Sequence, residues 1–93
     1  MRTVTITVTG RVQGVGFRWA LRAEAQRLGT RGWVRNRSDG AVEALVAGDP
    51  DAVEGVIAWA HEGPPSSRVA DVDVLESGES VDVPEGFEIR ETV

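Results

Sequence analysis

The chain has no cysteine. That excludes a disulfide framework, a thiolate metal site and a thiol nucleophile together; it leaves the compartment open and fits a cytoplasmic location. No stretch approaches the roughly 20 apolar residues a membrane span needs. Met1 to Thr9 alternates apolar and polar residues without an apolar h-region, so it reads as structure and not as a signal peptide. Lysine is absent as well: all ten cationic side chains are arginine, which we read as composition bias. With 93 residues there is material for one modest hydrophobic core and not two, so residues 1–93 are expected to form a single domain.

Charge is unevenly placed. Residues 1–40 carry eight Arg against Glu24 and Asp39, whereas residues 41–93 carry two Arg against thirteen acids, local balances of +6 and −11 within a net −5. A cationic half in an acidic protein suits a local site for a small anion better than an extended nucleic-acid face. Charges scattered over a solvated surface fit the same counts, so composition leaves both readings open.

Residues 3–9 place Val4, Ile6 and Val8 on one face and four threonines on the other, the period-2 pattern of a half-buried strand. Gly10 to Gly16 interrupts it with three glycines. From Phe17 the spacing becomes helical, with Phe17, Leu21, Ala25 and Leu28 on one stripe and Gly29 as C-terminal cap. Strands follow at about 31–37 and 41–47, joined by the turn signal Ser38-Asp39-Gly40. Asp49-Pro50 is an N-cap followed by a first-turn proline, and Val53, Val56, Ile57 and Ala60 recur at helical spacing until Gly63-Pro64. Residues 69–75 read as a strand, 76–86 as an acidic loop and 87–90 as a short last strand. The order βαββαβ plus a terminal strand predicts an α+β, ferredoxin-like sandwich with both helices on one face of a mainly antiparallel sheet.

Gly10-Arg-Val-Gln-Gly-Val-Gly-Phe-Arg18 runs from a strand directly into a helix. Several backbone N–H groups can therefore converge where the helix dipole also favours negative charge. Gly10, Gly14 and Gly16 permit the backbone to curl round an oxyanion, and Arg18 can add a bidentate guanidinium. A plain glycine-rich turn with a surface arginine fits the same letters. The third glycine of a dinucleotide fingerprint is missing, and there is no Gly-Lys-Ser or Gly-Lys-Thr, which argues against a nucleotide cofactor. In a right-handed β-helix-β unit the first two strands are parallel and end at one sheet edge. Asn36, the single asparagine, stands at that edge; its carboxamide can orient a water or can close the hairpin through an Asx-type bond.

Gly10 to Arg18, together with Gly32-Trp-Val-Arg-Asn36-Arg-Ser-Asp39-Gly40-Ala-Val-Glu43, resembles the acylphosphatase family. Gly63-Pro-Pro-Ser-Ser-Arg-Val69 and Phe87-Glu-Ile-Arg90 resemble its later segments, and the likeness spans nearly the whole chain in order. It implies hydrolysis of acyl phosphates, a small-molecule substrate class, to a carboxylate and inorganic phosphate. By the same resemblance the backbone N–H groups of Val12, Gln13, Gly14, Val15, Gly16 and Phe17 would bind phosphate with Arg18, and Asn36 would orient the attacking water. Neither metal nor cofactor nor covalent intermediate would be needed, and a cytoplasmic monomer without nucleic-acid or membrane partners is expected. The loop holds no His, Cys, Asp or Glu to act as base or nucleophile, which is consistent with that chemistry.

His61 reads as a surface residue at a helix end. Trp19 and Trp33 flank the loop in sequence and either shape an acyl pocket or, more simply, pack at sheet and helix edges; Trp59 reads as packing. The later acids lack the His or Cys company of a metal site and read as a solvated face. An RNA-binding module shares this element order, but it would want aromatic residues on the central strands and a basic surface; the first strand has threonines and the protein is acidic. A catalytically silent ligand-binding domain of the same fold is the other alternative, against which the presence of both Arg18 and Asn36 argues.

Overall fold

The computed structural model describes residues 1–77 and 81–93. Its elements are β1 (Arg2–Arg11), α1 (Phe17–Arg27), β2 (Arg31–Asn36), β3 (Val42–Gly48), α2 (Pro50–Glu62), β4 (Arg68–Glu76) and β5 (Phe87–Ile89). The strands form one sheet in the order β4-β1-β3-β2-β5, antiparallel throughout except for the β2–β5 pair. This is the ferredoxin-like arrangement with the additional C-terminal strand, as expected.

The period-2 pattern of β1 decides which face is covered. Val4, Ile6 and Val8 are fully buried and pair with Val46, Ala44 and Val42 of β3. That face receives Phe17, Leu21 and Ala25 of α1 and Val53, Val56, Ile57 and Ala60 of α2 in a single core cluster. The ring of Trp59 lies 5.4 Å from that of Phe17 and ties the helices together, in keeping with its reading as packing. The opposite face is open. Thr3, Thr5 and Thr7 line its centre, paired across β3 with Ala47, Leu45 and Glu43, so the two central strands offer no aromatic platform for stacked bases. Trp33 also lies on this face, opposite Leu45, with the guanidinium of Arg35 4.4 Å and that of Arg90 5.4 Å from its ring.

Local signals set the ends of the elements with small departures. β1 does not stop at Thr9: it continues through Gly10 and Arg11 on β4 alone, past a register shift between Thr9 and Gly10. The extra residue at this shift is Ala70 on β4, opposite the point where β1 passes from Thr9 to Gly10. α1 ends at Arg27 with Leu28 as C-cap, so Gly29 is one residue beyond the cap at φ +77°. Asp49 caps α2 by accepting from the Asp51 N–H at 3.0 Å, and Pro50 follows as read. β2 stops at Asn36, one residue short of expectation, β3 is shifted on by one, β4 gains Arg68 and Glu76, and β5 ends at Ile89. Of the expected 76–86 loop, residues 78–80 lie outside the described residues; 77 and 81–86 are in no helix or strand.

Arg2 holds three elements together. Its guanidinium donates to Glu76 on β4 through Nε and Nη2 and to Glu54 on α2 at 2.7 Å. The hydrogen bond from Arg2 keeps the Glu76 carboxyl below its ordinary range. A carboxyl whose folded value lies below its unfolded value adds stability that is complete above the unfolded value and is lost as pH falls through the folded one. Thermal unfolding measured from about pH 6 to about pH 2 should therefore show a shallower acid-induced fall in Arg2→Met than in the wild type; equal slopes would mean the network contributes nothing.

Gly10 sits at the bulge with φ +120°, and a Cβ there would run into the Arg68 carbonyl oxygen and lie 2.6 Å from the Ala70 nitrogen. Gly10→Ala should cost about 2 to 6 kcal/mol, roughly one to three each for overpacking and for the positive φ. Gly86→Ala, with nothing within 4 Å and no positive φ, serves as the neutral control in the same denaturation series.

Candidate active site

The register across the sheet shows which residues share an edge. Val42 pairs with Val8 on one side and Asn36 on the other, so the C-terminal ends of β1 and β2 point the same way. The glycine loop leaves from one of them and Asn36 closes the other. The loop is anchored by side chains that leave its backbone free: Val12 is buried, Val15 packs against the core from its rim and Phe17 is buried beneath the first turn of α1. Gly14 and Gly16 have φ +74° and +79°, while Val15 between them and Phe17 after them do not have positive φ. Alternation of sign along successive residues is the backbone pattern from which anion-binding nests are built. A Cβ at either glycine would meet nothing within 4 Å, so it is the conformation that demands glycine there and not lack of room.

The two helix starts differ. At α2 the side chain of Asp49 caps the backbone and Asp51 adds negative charge in the first turn. At α1 the cap is Gly16, no side chain accepts from the first N–H groups, and the first turn holds no acid. The first intrahelical bond is from the Ala20 N–H to the Gly16 carbonyl at 3.0 Å, so the N–H groups of Phe17, Arg18 and Trp19 precede any intrahelical acceptor. Among the described residues no side chain caps the start of α1 and no acid lies in its first turn, so these donors form a positive helix end.

Arg18 is the second residue of α1, where the helix dipole disfavours a cation by typically 0.3–1 kcal/mol. Arg2, Arg27, Arg35, Arg37 and Arg90 all have carboxylate partners. Among the described residues Arg18 has neither an ion pair nor a side-chain hydrogen bond, although the protein is acidic overall. Four of the eight arginines in residues 1–40 thus pair with carboxylates; among the described residues Arg18, like Arg11, Arg22 and Arg31, does not, and it is the one that stands in the first turn of α1.

Asn36 has the complementary feature. Its Oδ1 is buried and, among the described residues, has no hydrogen-bond partner. An orphaned buried acceptor typically costs about 1–3 kcal/mol. The hairpin does not use it: the Asx-type bond is made by Asp39, whose Oδ1 accepts from the Ala41 N–H at 3.0 Å. On β2, Asn36 shares the face of buried Val34, the helix side of the sheet, whereas Trp33 projects from the opposite face and does not line this site.

Trp19 departs from the packing expectation. It is 62% exposed on the first turn of α1, with the Arg22 guanidinium 6.0 Å from its ring. His61 is exposed at the end of α2, as read. Two supports of the loop were not read from the sequence. The Gln13 side chain reaches the β2–β3 hairpin, and Ser66 Oγ donates to the Val15 carbonyl at 3.3 Å from the α2–β4 connection. A polar residue among the glycines and valines of the loop was the available signal for Gln13; nothing local to Ser66 announces a contact 51 positions away.

Comparison with known proteins identifies the family. The family model described as acylphosphatase matches residues 4–89. An acylphosphatase of Thermococcus kodakarensis is 53% identical over 83 residues, covering 89% of this chain and 86% of that relative. One from an Acidovorax species is 52% identical over 88 residues, covering 95% and 89%. The crystal structure of acylphosphatase from Bacillus subtilis superposes with a TM-score of 0.91 at 41% identity, covering 97% of this chain and 99% of that one. The glycine loop, α1 and the end of β2 all fall within the matched span, and the chain belongs to the acylphosphatase family.

Proposed function

We propose that the amide ring from Val12 to Phe17, closed by Arg18, binds the phosphate of an acyl phosphate, and that Asn36 orients the water that attacks it. Family membership makes the chain an enzyme that hydrolyses the carboxyl–phosphate bond of acyl phosphates; the assignment of roles to these residues is our reading. The observation that carries it is a free arginine at an uncapped helix start: the unfavourable placement of Arg18 becomes favourable once an anion lies between its guanidinium and the amide donors.

In the reaction, water attacks phosphorus opposite the carboxylate. The P–O bond to the acyl group breaks, the carboxylate leaves with the bonding pair, and the proton lost by the water passes to a phosphoryl oxygen of the substrate or to solvent. No side chain of residues 10–18 is suited to act as base, and the good leaving group makes one unnecessary. Catalysis then consists of positioning and of stabilising charge on the transferred phosphoryl group. The Asn36 carboxamide carries both a donor and an acceptor at this sheet edge, and its Oδ1 is committed to no other group among the described residues, which suits a water that must be held and aimed.

The remaining assignments belong to the same proposal: a single-domain monomer in the cytoplasm, independent of metal and cofactor, that grips the phosphate and leaves the acyl group largely outside. Among the described residues no helix is long and apolar enough to cross a membrane.

Turnover of benzoyl phosphate, followed by loss of its ultraviolet absorbance, should persist in excess chelator, with inorganic phosphate as a competitive inhibitor. Loss of activity on chelation would overturn metal independence. Arg18→Ala should nearly abolish both turnover and inhibition by phosphate. Asn36→Ala should lower kcat about 10²- to 10³-fold with a much smaller effect on phosphate inhibition; wild-type kcat/KM in either variant would remove that residue from the mechanism.

A further inference from the structure

We propose that Gln13 is a positioning residue: its carboxamide clamps the phosphate loop to the mouth of the β2–β3 hairpin and so sets the distance between bound phosphate and the water held by Asn36. The proposal rests on the role given above to Asn36.

Gln13 Nε2 donates to two main-chain carbonyls, that of Arg37 at 2.7 Å and that of Ala41 at 2.9 Å. Two acceptors at one end of a carboxamide fix its orientation, because only the NH2 group has hydrogens for both. Arg37 follows Asn36 directly in the chain, and Ala41 is the residue before Val42, the β3 partner of Asn36. The clamp therefore grips both sides of the hairpin one residue beyond the Asn36–Val42 pair. Among the described residues these are the hydrogen bonds that join loop residues 12–16 to the hairpin.

The hairpin is closed without Gln13. The Arg37 N–H donates to the Ala41 carbonyl at 2.8 Å and the Gly40 N–H donates to the Arg37 carbonyl at 3.1 Å. If the Gln13 amide were removed, each carbonyl would keep its own turn bond, so no buried acceptor would be orphaned and the fold would lose little. What would be lost is the tie between two otherwise separate parts of the site. The loop is held to the core through Val12, and Ser66 braces it from the α2–β4 side; Asn36 is held by the sheet. Misplacing a reacting group by about 1 Å can cost about a hundredfold in rate. Gln13 thus has the properties of a part whose removal is cheap for stability and expensive for turnover.

The test uses the full chain. Gln13→Met keeps the length of the side chain without donors, and Gln13→Glu places an acceptor against two acceptors. Each is made in the wild type and in Asn36→Ala, and kcat and KM for benzoyl phosphate, the phosphate inhibition constant and the unfolding midpoint are measured. In the wild-type background kcat should fall about ten- to a hundredfold, with phosphate inhibition and the midpoint near wild type. In the Asn36→Ala background most of that fall should vanish, since there is then no oriented water to misplace. An equal fall in both backgrounds overturns the clamp and leaves the role of Asn36 standing. So does a loss seen wholly in phosphate binding, and so does failure of both Gln13 variants to fold. Wild-type kcat in Asn36→Ala by itself identifies the other failure, that of the reading on which the clamp rests.

Discussion

The site depends on backbone donors that the fold leaves without acceptors. A helix begins with N–H groups that its own carbonyls cannot reach, and most helix starts answer this with a side-chain oxygen, as Asp49 does for α2. At α1 the cap is a glycine and the first turn carries no acid. The preceding nest adds further N–H groups, and Arg18 adds a full positive charge where the dipole already disfavours one. An anion is the species that removes all of these penalties together, and a phosphoryl group has enough oxygens to meet them. On the proposed reading the same arrangement is catalytic, because the charge on those oxygens changes along the reaction.

Such a site must be kept open by something other than its own bonds. The open conformation is held from beneath by apolar contacts: Val12 and Phe17 are buried, and Val15 lies on the rim of the core. It is held from the sides by Gln13 to the hairpin and Ser66 to the Val15 carbonyl. A Cβ at Gly63, at the end of α2, would lie 2.8 Å from Cε2 of Phe17, so the second helix packs tightly under the start of the first. Among the described residues these supports hold the loop without using the N–H groups of residues 12–16 as donors. Arg22 supports the far side, its Nε donating to the Phe87 carbonyl and its guanidinium lying by the exposed ring of Trp19.

Much of the architecture was legible because it rests on local periodicity. The alternation of Val4, Ile6 and Val8 fixed the buried face of β1, and the stripe Phe17, Leu21, Ala25 fixed that of α1, because each period admits one way of hiding its apolar residues. Asp49-Pro50 and Asp39-Gly40 marked boundaries for equally local reasons. The boundaries that moved depend on neighbours. β1 runs on to Arg11 because β4 is there to pair with it, and β2 stops at Asn36 because the hairpin turns at that point. For Trp19 the sequence offered an acyl-pocket wall or, more simply, edge packing; it falls off the buried stripe Phe17, Leu21, Ala25 of α1 and is exposed.

Sequence by itself determined the order of the elements, the covered face of the sheet and the glycine spacing that permits a nest, since each follows from side-chain period or from the φ range of a single residue. It also gave the candidates Arg18 and Asn36, although for Asn36 it left a structural use equally open. Only the tertiary structure decided that Asp39 closes the hairpin and leaves Asn36 Oδ1 without a partner among the described residues, that five arginines find carboxylates there while Arg18 is one of the five that do not, and that Gln13 and Ser66 brace the loop. The physical reason is range: period and backbone preference act within a few residues, whereas which polar group is left without a partner depends on every group that folding brings within hydrogen-bond reach.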